Sequence, residues 1–214
     1  MQILLDLHYL PCVQYMSKFL QYDAVVIEQH EHYSKGSYRN RCYLAAANDP
    51  LLLSIPLIKG KNQQQNIRHT RISYDTPWQR LHWRSIFSAY GNAPYFEYYA
   101  DSLAPFYQKK YEYLFDFNLD LLQWVLACLD INTSWTLTKE YSAQPTPPLQ
   151  DWRNAIHPKP QRRRKDIYFE ATYYPQVFED RHGFIGNLTI LDLLFCAGTQ
   201  AALILESCIT TKHT

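Results

Sequence analysis

The chain has 214 residues, of which 47% are hydrophobic and 19% charged, and its formal net charge at pH 7 is +1. This length suits a single domain over residues 1–214, and the composition is that of an ordinary packed core. The near-neutral charge provides no global field that would attract nucleic acid. The chain is rich in tyrosine, with 18 copies; most should pack in the core, although tyrosine also suits polar ligand sites.

Cysteine usage and the N-terminus indicate the compartment. The five cysteines are widely spaced and form no Cys-x-x-Cys pair, so we expect neither a secreted disulfide framework nor a structural zinc site. The segment Met1–Asp6 lacks the cationic region of a signal peptide. We find no apolar run of the roughly 18 residues that span a bilayer. A cytoplasmic location without membrane insertion is therefore expected.

Hydrophobic patterning predicts strands in the first third of the chain. The stretches at 2–7 and 24–27 are typical of short buried strands, and the amphipathic stretch Val13–Leu20 between them predicts a helix. This strand–helix–strand could form a parallel unit. Further strands are predicted at 38–46, 50–58 and near 67–73, with a polar loop from Gly60 to Asn66.

Helices are predicted for much of the remainder. Thr76 and Pro77 form a helix start, with Thr76 as the cap and Gly91 as the stop. Five prolines at 142–165 predict an irregular connection within the domain. The predicted fold class is α/β or α+β, with an N-terminal strand-rich part forming a sheet packed with a helical C-terminal half. The further predicted helices are 94–107, 111–129, 190–197 with Thr189 as its cap, and one ending near 207.

Several catalytic motifs are missing from the sequence. The six glycines form neither a Gly-x-Gly-x-x-Gly fingerprint nor a Walker loop. The sequence also lacks Gly-x-Ser-x-Gly, His-Glu-x-x-His and a deaminase zinc signature. These absences disfavour Rossmann oxidoreductases, P-loop enzymes, α/β-hydrolases and zinc peptidases, and no cofactor is expected.

The sharpest local feature is Tyr38-Arg39-Asn40-Arg41. On the predicted strand, Arg39 and Arg41 share one face, and Tyr38 and Asn40 share the other. Two guanidinium groups about 7 Å apart can hold a diphosphate or a carboxylate through bidentate hydrogen bonds. We take all four as candidate substrate-binding residues. The alternative is a solvated strand face, or an ion pair with one of the glutamates at 28 and 31.

His8 follows the first predicted strand. In open α/β sheets, functional sites gather at the carboxyl ends of strands. A histidine there can act as a general base, and Asp6, two residues earlier, could orient its ring. Asp6 and His8 are the candidate catalytic residues, while a hydrogen-bonded structural histidine is the alternative.

His82 and Asp192 are two further candidates for substrate binding. His82 shares a helix face with Trp78 and Ser85, and it could meet the face that carries Arg39 if this helix covers the sheet. Asp192 lies in an apolar helical run, where a carboxylate must find a donor such as an arginine or a tyrosine. Helix packing and a structural pair, respectively, are the alternatives.

Two other features suggest ligands less strongly. His30 and His32 have metal-chelating spacing, but a third ligand is not evident, so no metal is expected. Arg162–Lys165 is a compact basic run that could contact nucleic acid, a membrane surface or a phosphate-rich substrate. Its place in a predicted loop favours a solvated run.

Eight short motifs, in one order over most of residues 3–205, resemble the WbqC-like protein family. Each motif alone is weak, but the shared order is fairly specific. The motifs are His8-Tyr9-Leu10-Pro11, Tyr38-Arg39-Asn40-Arg41, Ser54-Ile55-Pro56, Trp78 with His82-Trp83, Ala93-Pro94-Tyr95-Phe96, Leu114-Phe115-Asp116-Phe117-Asn118, Tyr174-Pro175-Gln176, and the run from Leu188 to Phe195.

The resemblance implies a cytoplasmic protein linked to O-antigen or other surface-polysaccharide synthesis. It suggests a transferase acting on a nucleotide-linked sugar, a small-molecule substrate. On this hypothesis, Arg39 and Arg41 hold the diphosphate or a carboxylate, and His8 is the base. The remaining candidates, Asn40, His82 and Asp192, position reacting groups.

Two alternatives remain open, and the chain departs from longer family members. It has Asp6-Leu7 before His8, and the proline-rich stretch 142–165 replaces a glycine-containing segment. If that segment holds part of a catalytic site, this chain binds without catalysing. The first alternative is therefore a non-catalytic binding or scaffold protein of a polysaccharide pathway. The second is nucleic-acid binding through Arg162–Lys165.

Overall fold

A computed structural model of the protein describes residues 1–58 and 65–210. Its fold is mixed α/β, with parallel strands at the N-terminus and most helices in the C-terminal half, as the sequence predicts. Most of the predicted polar loop from Gly60 to Asn66 lies outside the described residues. The grouping of residues 1–214 into one domain stays a prediction.

The main sheet has four parallel strands in the order β5-β2-β1-β6. Its centre is the predicted strand–helix–strand unit, in which helix α1 (Val13–Gln21) connects β1 to β2. Alternation along β1 places Ile3 and Leu5 in the hydrophobic core and turns Leu4 and Asp6 to the other face. The strand bounds are β1 (Gln2–Asp6), β2 (Ala24–Glu28), β5 (Ser134–Leu137) and β6 (Leu149–Asp151).

A separate antiparallel hairpin consists of β3 (Arg41–Leu44) and β4 (Leu51–Ser54). The hairpin is joined to the rest of the fold through main-chain bonds: Thr189 N donates to Tyr43 O at 3.1 Å, and Tyr9 N donates to Tyr38 O at 2.9 Å. The segment that follows β1 is therefore fixed beside the segment that precedes β3.

Seven helices complete the described part of the chain. Buried faces of α1, α2, α4 and α6 contribute to one hydrophobic core with the inner face of the sheet. The helices are α1 (Val13–Gln21), α2 (Trp78–Tyr90), α3 (Phe96–Leu103), α4 (Leu114–Cys128), α5 (Glu179–His182), α6 (Ile190–Ala197) and α7 (Ala201–Ser207).

Several predicted elements are wrong in detail. Residues Tyr38–Asn40 form a 3₁₀ turn rather than strand, because the Ser37 hydroxyl accepts a bond from Arg39 N and starts a helical turn. The predicted strand near 67–73 contains a 3₁₀ turn at Ile67–His69 and only isolated bridges beyond it. Gly91 ends α2 and Thr189 stands at the N-cap of α6, as predicted, although the Thr189 side chain makes no cap hydrogen bond. The N-cap of α2 is Pro77 rather than the predicted Thr76.

The proline-rich segment 142–165 contains regular structure that patterning missed. Strand β6 lies within it, and a 3₁₀ turn follows at Pro160–Arg162. β6 pairs in parallel with β1, which lies almost 150 residues earlier in the chain, with Gln2 opposite Leu149. The segment is thus joined to the main sheet.

One described stretch, Ile190–Ser207, has the length and mean hydropathy (1.5 over 18 residues) of a membrane-crossing helix. The expectation that no run is long enough was therefore wrong. The stretch is interrupted at Gly198, where φ is +56°, and 61% of it is buried within the protein. Core helices share these properties, so the stretch is weak evidence for a membrane span.

Candidate functional site

Polar side chains gather where the parallel strands end. Asp6 is the last residue of β1 and Glu28 the last of β2, and the two are paired neighbours in the sheet. Both are almost completely buried. Carboxyl ends of parallel strands are where ligands bind in open α/β sheets, so this edge is the candidate site.

Asp6 and His8 form a buried pair. Oδ2 of Asp6 lies 3.0 Å from Nε2 of His8, and the two residues are 1% and 0% exposed. Oδ1 of Asp6 accepts a 2.9 Å bond from the main-chain N of Asn154. The His8 ring packs on the ring of Tyr15, with centroids 4.5 Å apart. The carboxylate thus fixes the orientation of the imidazole.

Arg39 is fully buried and paired with two carboxylates. Its Nε and Nη2 donate to the two oxygens of Glu31 at 2.7 and 2.6 Å, a bidentate arrangement. Its Nη1 lies 2.9 Å from Oδ2 of Asp6, an ion pair that lacks hydrogen-bond geometry. Asn118 on α4 donates to Arg39 O at 2.7 Å. The ion pair with one of the preceding glutamates is therefore realised, with Glu31.

The charges in this cluster shift one another's pKa. Burial raises the pKa of Asp6, but the attraction of Arg39 and His8 outweighs it and holds this pKa below the usual range. Burial raises the pKa of Glu31 to about 7, against the opposing attraction of Arg39. Burial lowers the pKa of Arg39, but the charges of Asp6 and Glu31 raise it by a larger amount, so that the pKa lies above its ordinary value. Arg39 and Asp6 are therefore charged at neutral pH, while Glu31 is close to its titration point.

Four buried polar atoms near this cluster lack a hydrogen-bond partner within the described part of the chain. They are Nδ1 of His8, the Tyr15 hydroxyl, Nη1 of Arg39 and Nε2 of His157. Buried polar groups are nearly always satisfied, so such a concentration asks for an explanation. With Asp6 ionised and accepting from Nε2, the neutral form of the His8 ring would present its lone pair at Nδ1. The arrangement has the polarity needed for a general base or for a bound polar ligand.

Residues 152–166, which we call the strap, cover this cluster. At one end, Trp152 N donates to Leu4 O at 2.9 Å, and Asn154 N donates to Asp6. At the other end, Asp166 forms a buried 2.6 Å ion pair with Lys18 of α1. His157 points inward and is nearly inaccessible. The Asp6–His8 pair can therefore meet a substrate only if the strap moves.

A second charged group lies at the same edge of the sheet. Arg153 Nη1 donates to Glu28 at 2.8 Å, and its Nε and Nη2 reach Asp151 at 3.0 and 2.7 Å. Glu28 also borders a cleft of about 370 Å³ on the outer face of the sheet, next to Leu4 and Ser142. Arg153 thus links β2, β6 and the start of the strap.

Of the other residues of the predicted Tyr-Arg-Asn-Arg feature, Tyr38 contacts the Asp6–His8 pair, whereas Asn40 makes contacts elsewhere. Asn40 is hydrogen-bonded to Ile55 O and to Tyr33, both structural contacts. Because the segment turns at 38–40, Arg39 and Arg41 do not share a strand face as predicted. Tyr38 packs against the His8 ring, with centroids 5.4 Å apart, and is the member nearest to the pair.

His82 belongs to a different buried network. Its Nδ1 is 2.9 Å from the Tyr9 hydroxyl, which is in turn 2.9 Å from the Tyr107 hydroxyl. Burial lowers the pKa of His82 to about 4. The neutral ring bridges α2 to the segment after β1, so His82 contacts Tyr9 rather than Arg39.

Asp192 is buried in α6, where tyrosine and amide donors bond one of its two carboxylate oxygens, while Oδ1 has no partner among the described residues. Its Oδ2 accepts from the Tyr174 hydroxyl at 2.8 Å and from Gln176 Nε2 at 2.6 Å. Burial raises the pKa of Asp192, against the opposing effect of these hydrogen bonds. The contact joins two of the eight motifs but lies apart from the Asp6–His8 pair.

Sequence reasoning missed Glu31, Tyr15 and His157 as members of the site. Glu31 was considered only as an ion-pair partner, and Tyr15 only as a residue of the apolar helix face. His157 lies in a loop without periodicity, so only its residue type could have marked it. Within residues 1–58 and 65–210, no group of three or more histidine, cysteine or acidic side chains is placed to hold a metal ion.

The comparisons with known proteins agree with the resemblance. The model of the WbqC-like protein family matches residues 7–157, which include His8, Arg39 and His157 but not Asp6. An uncharacterized protein of Mycobacterium tuberculosis, Rv1507c, is 29% identical over 136 residues, covering 63% of this chain and 58% of that protein. No solved structure matches the chain. Since the family match covers more than half of its length, the chain belongs to the WbqC-like protein family.

Proposed function

We propose that this protein is a transferase that acts on a nucleotide-linked sugar, or a similar activated polar metabolite, in surface-polysaccharide synthesis. His8 is the general base, and Asp6 orients it. A cytoplasmic location and a small-molecule substrate are part of this proposal. The observation that carries it is the His8 ring, held at Nε2 by an ionised carboxylate with Nδ1 free of partners among the described residues.

The chemistry follows from that geometry. A hydroxyl or amine of the acceptor gives its proton to Nδ1 of His8 and bonds to the activated carbon of the donor. The nucleoside diphosphate leaves with the electron pair of the broken bond. Asp6 stabilises the imidazolium that forms, because its charge lies 3.0 Å from the ring nitrogen. Holding the base in place before reaction avoids the entropy of assembling it.

Access to the base requires the strap to open. In the described structure the His8 side chain is completely buried, and Asn154 of the strap bonds its partner Asp6. We propose that substrate binding accompanies displacement of the strap and that its closure excludes water from the reaction. Lids with this role are common in transferases of activated substrates.

The alternative is a non-catalytic binding or scaffold protein. A specific observation favours it: Arg39 is neutralised by Glu31 and Asp6, and the cluster is inaccessible. In that case the buried charges fix the position of the loop before β3 and have no role in turnover. The two functions predict different results for a substitution at His8.

The first experiment is a thermal-shift panel of nucleotide sugars, nucleotides, acyl-CoA compounds and carboxylates. A ligand at 100 times its Kd stabilises by about 2.7 kcal/mol, which raises the Tm by roughly 5–10 °C for a chain of this size. The ligand that shifts the Tm is then the donor in an assay of product formation with candidate acceptors.

His8→Gln and the matched control His69→Gln, at an exposed histidine, complete the test. The transferase predicts that His8→Gln keeps the ligand shift but loses turnover by about 10²- to 10⁴-fold, the usual contribution of a general base. The control should retain both. Equal turnover in His8→Gln and wild type would reject the catalytic role and leave the binding protein.

A further inference from the structure

The strap carries an exposed row of five cations on its outer side. Lys159, Arg162, Arg163, Arg164 and Lys165 are all exposed, and we call them the basic ridge. An exposed basic run is often only a solvated loop. The structure provides two further observations that distinguish this one, namely how its arginines are held and what lies beneath them.

Two arginines of the ridge are held in place without being neutralised. Arg163 donates from Nε to His157 O at 2.8 Å and from Nη2 to Pro158 O at 2.9 Å. Arg164 donates to Asp151 O at 3.1 Å and stacks over the Trp152 ring at 4.9 Å. Across the described residues, neither guanidinium pairs with a carboxylate. Their positive charge is fixed in position and remains available to an anion.

The ridge is coupled to the buried cluster through His157. The carbonyl of His157 accepts from Arg163, while its side chain points inward with Nε2 unpartnered in the part of the chain described. Burial and, second to it, the charge of Arg162 lower the pKa of this histidine. The ridge is therefore joined through His157 to the strap, which also bonds Asp6 through Asn154 N.

The diphosphate of a nucleotide-linked donor needs cations that are free. Arg39 has three of its nitrogen atoms committed to Glu31 and Asp6, so its guanidinium is not free in this structure. Arginines that are held in place suit phosphate binding, because their planar guanidinium group is preorganised and always charged. The ridge meets this requirement, and the buried arginine does not.

We propose that the basic ridge is the phosphate-binding subsite of this protein and that it takes the diphosphate of a soluble nucleotide-linked compound. The inference rests on the proposed function, because it supplies the subsite for that donor. Binding there brings the strap and the activated substrate together, so the segment that covers His8 is also the one that recruits the ligand.

Inorganic pyrophosphate is the probe, and isothermal titration at low salt is the measurement. Arg162→Gln/Lys165→Gln removes two charges whose side chains make no hydrogen bond or ion pair with the described residues. The matched control Arg80→Gln/Arg84→Gln removes the same charge from the exposed face of α2. The ridge variant should bind pyrophosphate roughly tenfold more weakly than wild type, and the control should bind as wild type does.

Arg163→Lys separates fixed geometry from charge alone. It keeps the charge but loses the planar fork that bonds His157 O and Pro158 O, so weaker binding than wild type is expected at an unchanged net charge. The Tm of each variant is measured in parallel. Equal pyrophosphate binding by wild type and the Arg162→Gln/Lys165→Gln variant would overturn the proposal.

Two other sources of phosphate are tested with the same proteins. Vesicles containing anionic lipid and a single-stranded oligonucleotide replace pyrophosphate, each at two salt concentrations. The proposal expects weak, non-selective association with both. Ridge-dependent binding of either that exceeds the affinity for pyrophosphate, with steep salt dependence, would instead assign the ridge to a membrane or a nucleic acid.

The test keeps this inference separate from the proposed function. Pyrophosphate binding does not involve a proton transfer, so His8→Gln should bind it as wild type does. If His8→Gln loses turnover while the ridge variant binds pyrophosphate normally, the phosphate-binding role of the ridge is rejected and the role of His8 as the base is supported. If His8→Gln keeps turnover while the ridge variant binds pyrophosphate more weakly, the role of the ridge is supported and the role of His8 as the base is rejected.

Discussion

Arg39→Met is the substitution whose effect follows most directly from the structure. It removes a fully buried guanidinium and leaves Glu31 and Asp6 without their counter-charge. Removing one partner of a buried ion pair typically costs about 3–5 kcal/mol, because the remaining charge is uncompensated. For a chain of this size that corresponds to a fall in Tm of roughly 6–20 °C.

The assay is equilibrium unfolding in urea at pH 8, followed by tryptophan fluorescence and circular dichroism. The double variant Arg39→Met/Glu31→Gln tests the cause. It removes one of the two carboxylates that Arg39→Met leaves without a counter-charge, so the double variant should be more stable than Arg39→Met alone. A loss below about 1 kcal/mol in Arg39→Met, as for an exposed pair, would refute the reasoning. So would a double variant that is less stable than the single one.

Three further predictions concern residues outside the Asp6 cluster. The pKa of His82 is lowered to about 4 in the folded protein, below the unfolded value of 6.5, so its stabilising contribution is complete above pH 6.5 and is lost as the pH falls toward 4. The free energy of unfolding should therefore be about 2 kcal/mol lower at pH 5 than at pH 8. His82→Gln should remove this pH dependence in urea unfolding measured at both pH values. Gly198→Ala should destabilise by about 1–3 kcal/mol, because its φ of +56° disfavours a side chain and the new methyl group would overlap the Tyr95 ring; a Tm equal to wild type would contradict this. Asp192→Asn should cost less than Tyr174→Phe/Asp192→Leu, because an amide oxygen can still accept from Tyr174, whereas the double change removes the whole contact; thermal melts of both variants decide it.

The sequence predicts the centre of the sheet well and its edges poorly. β1, α1 and β2 are recognised because two buried apolar runs flank an amphipathic stretch of helical period. β6 is three residues long and lies among prolines, and its partner β1 is almost 150 residues away. β5 is similarly short, and its side chains are only partly buried. Pairing with a distant strand, rather than local propensity, creates both edges.

The candidate site was partly predictable for the same reason. Asp6 and His8 follow a recognisable strand, so their position at its carboxyl end could be inferred. The strand assigned to residues 38–40 was wrong because one hydroxyl, that of Ser37, turns the chain. That turn buries Arg39 against Glu31 instead of leaving it on an open face. A single local hydrogen bond therefore changes which cations are free to bind a substrate.

The tautomer of His8 decides whether its Nδ1 can act as the general base. Proteins labelled with ¹⁵N-histidine, wild type and His8→Gln for assignment, are studied by nuclear magnetic resonance over a series of pH values, and the tautomer is determined for the neutral form of the ring. We expect the neutral His8 ring to carry its proton on Nε2, toward Asp6, with Nδ1 unprotonated and able to accept a proton. A neutral ring protonated on Nδ1 would contradict the account, because the nitrogen assigned as the base would already hold a proton.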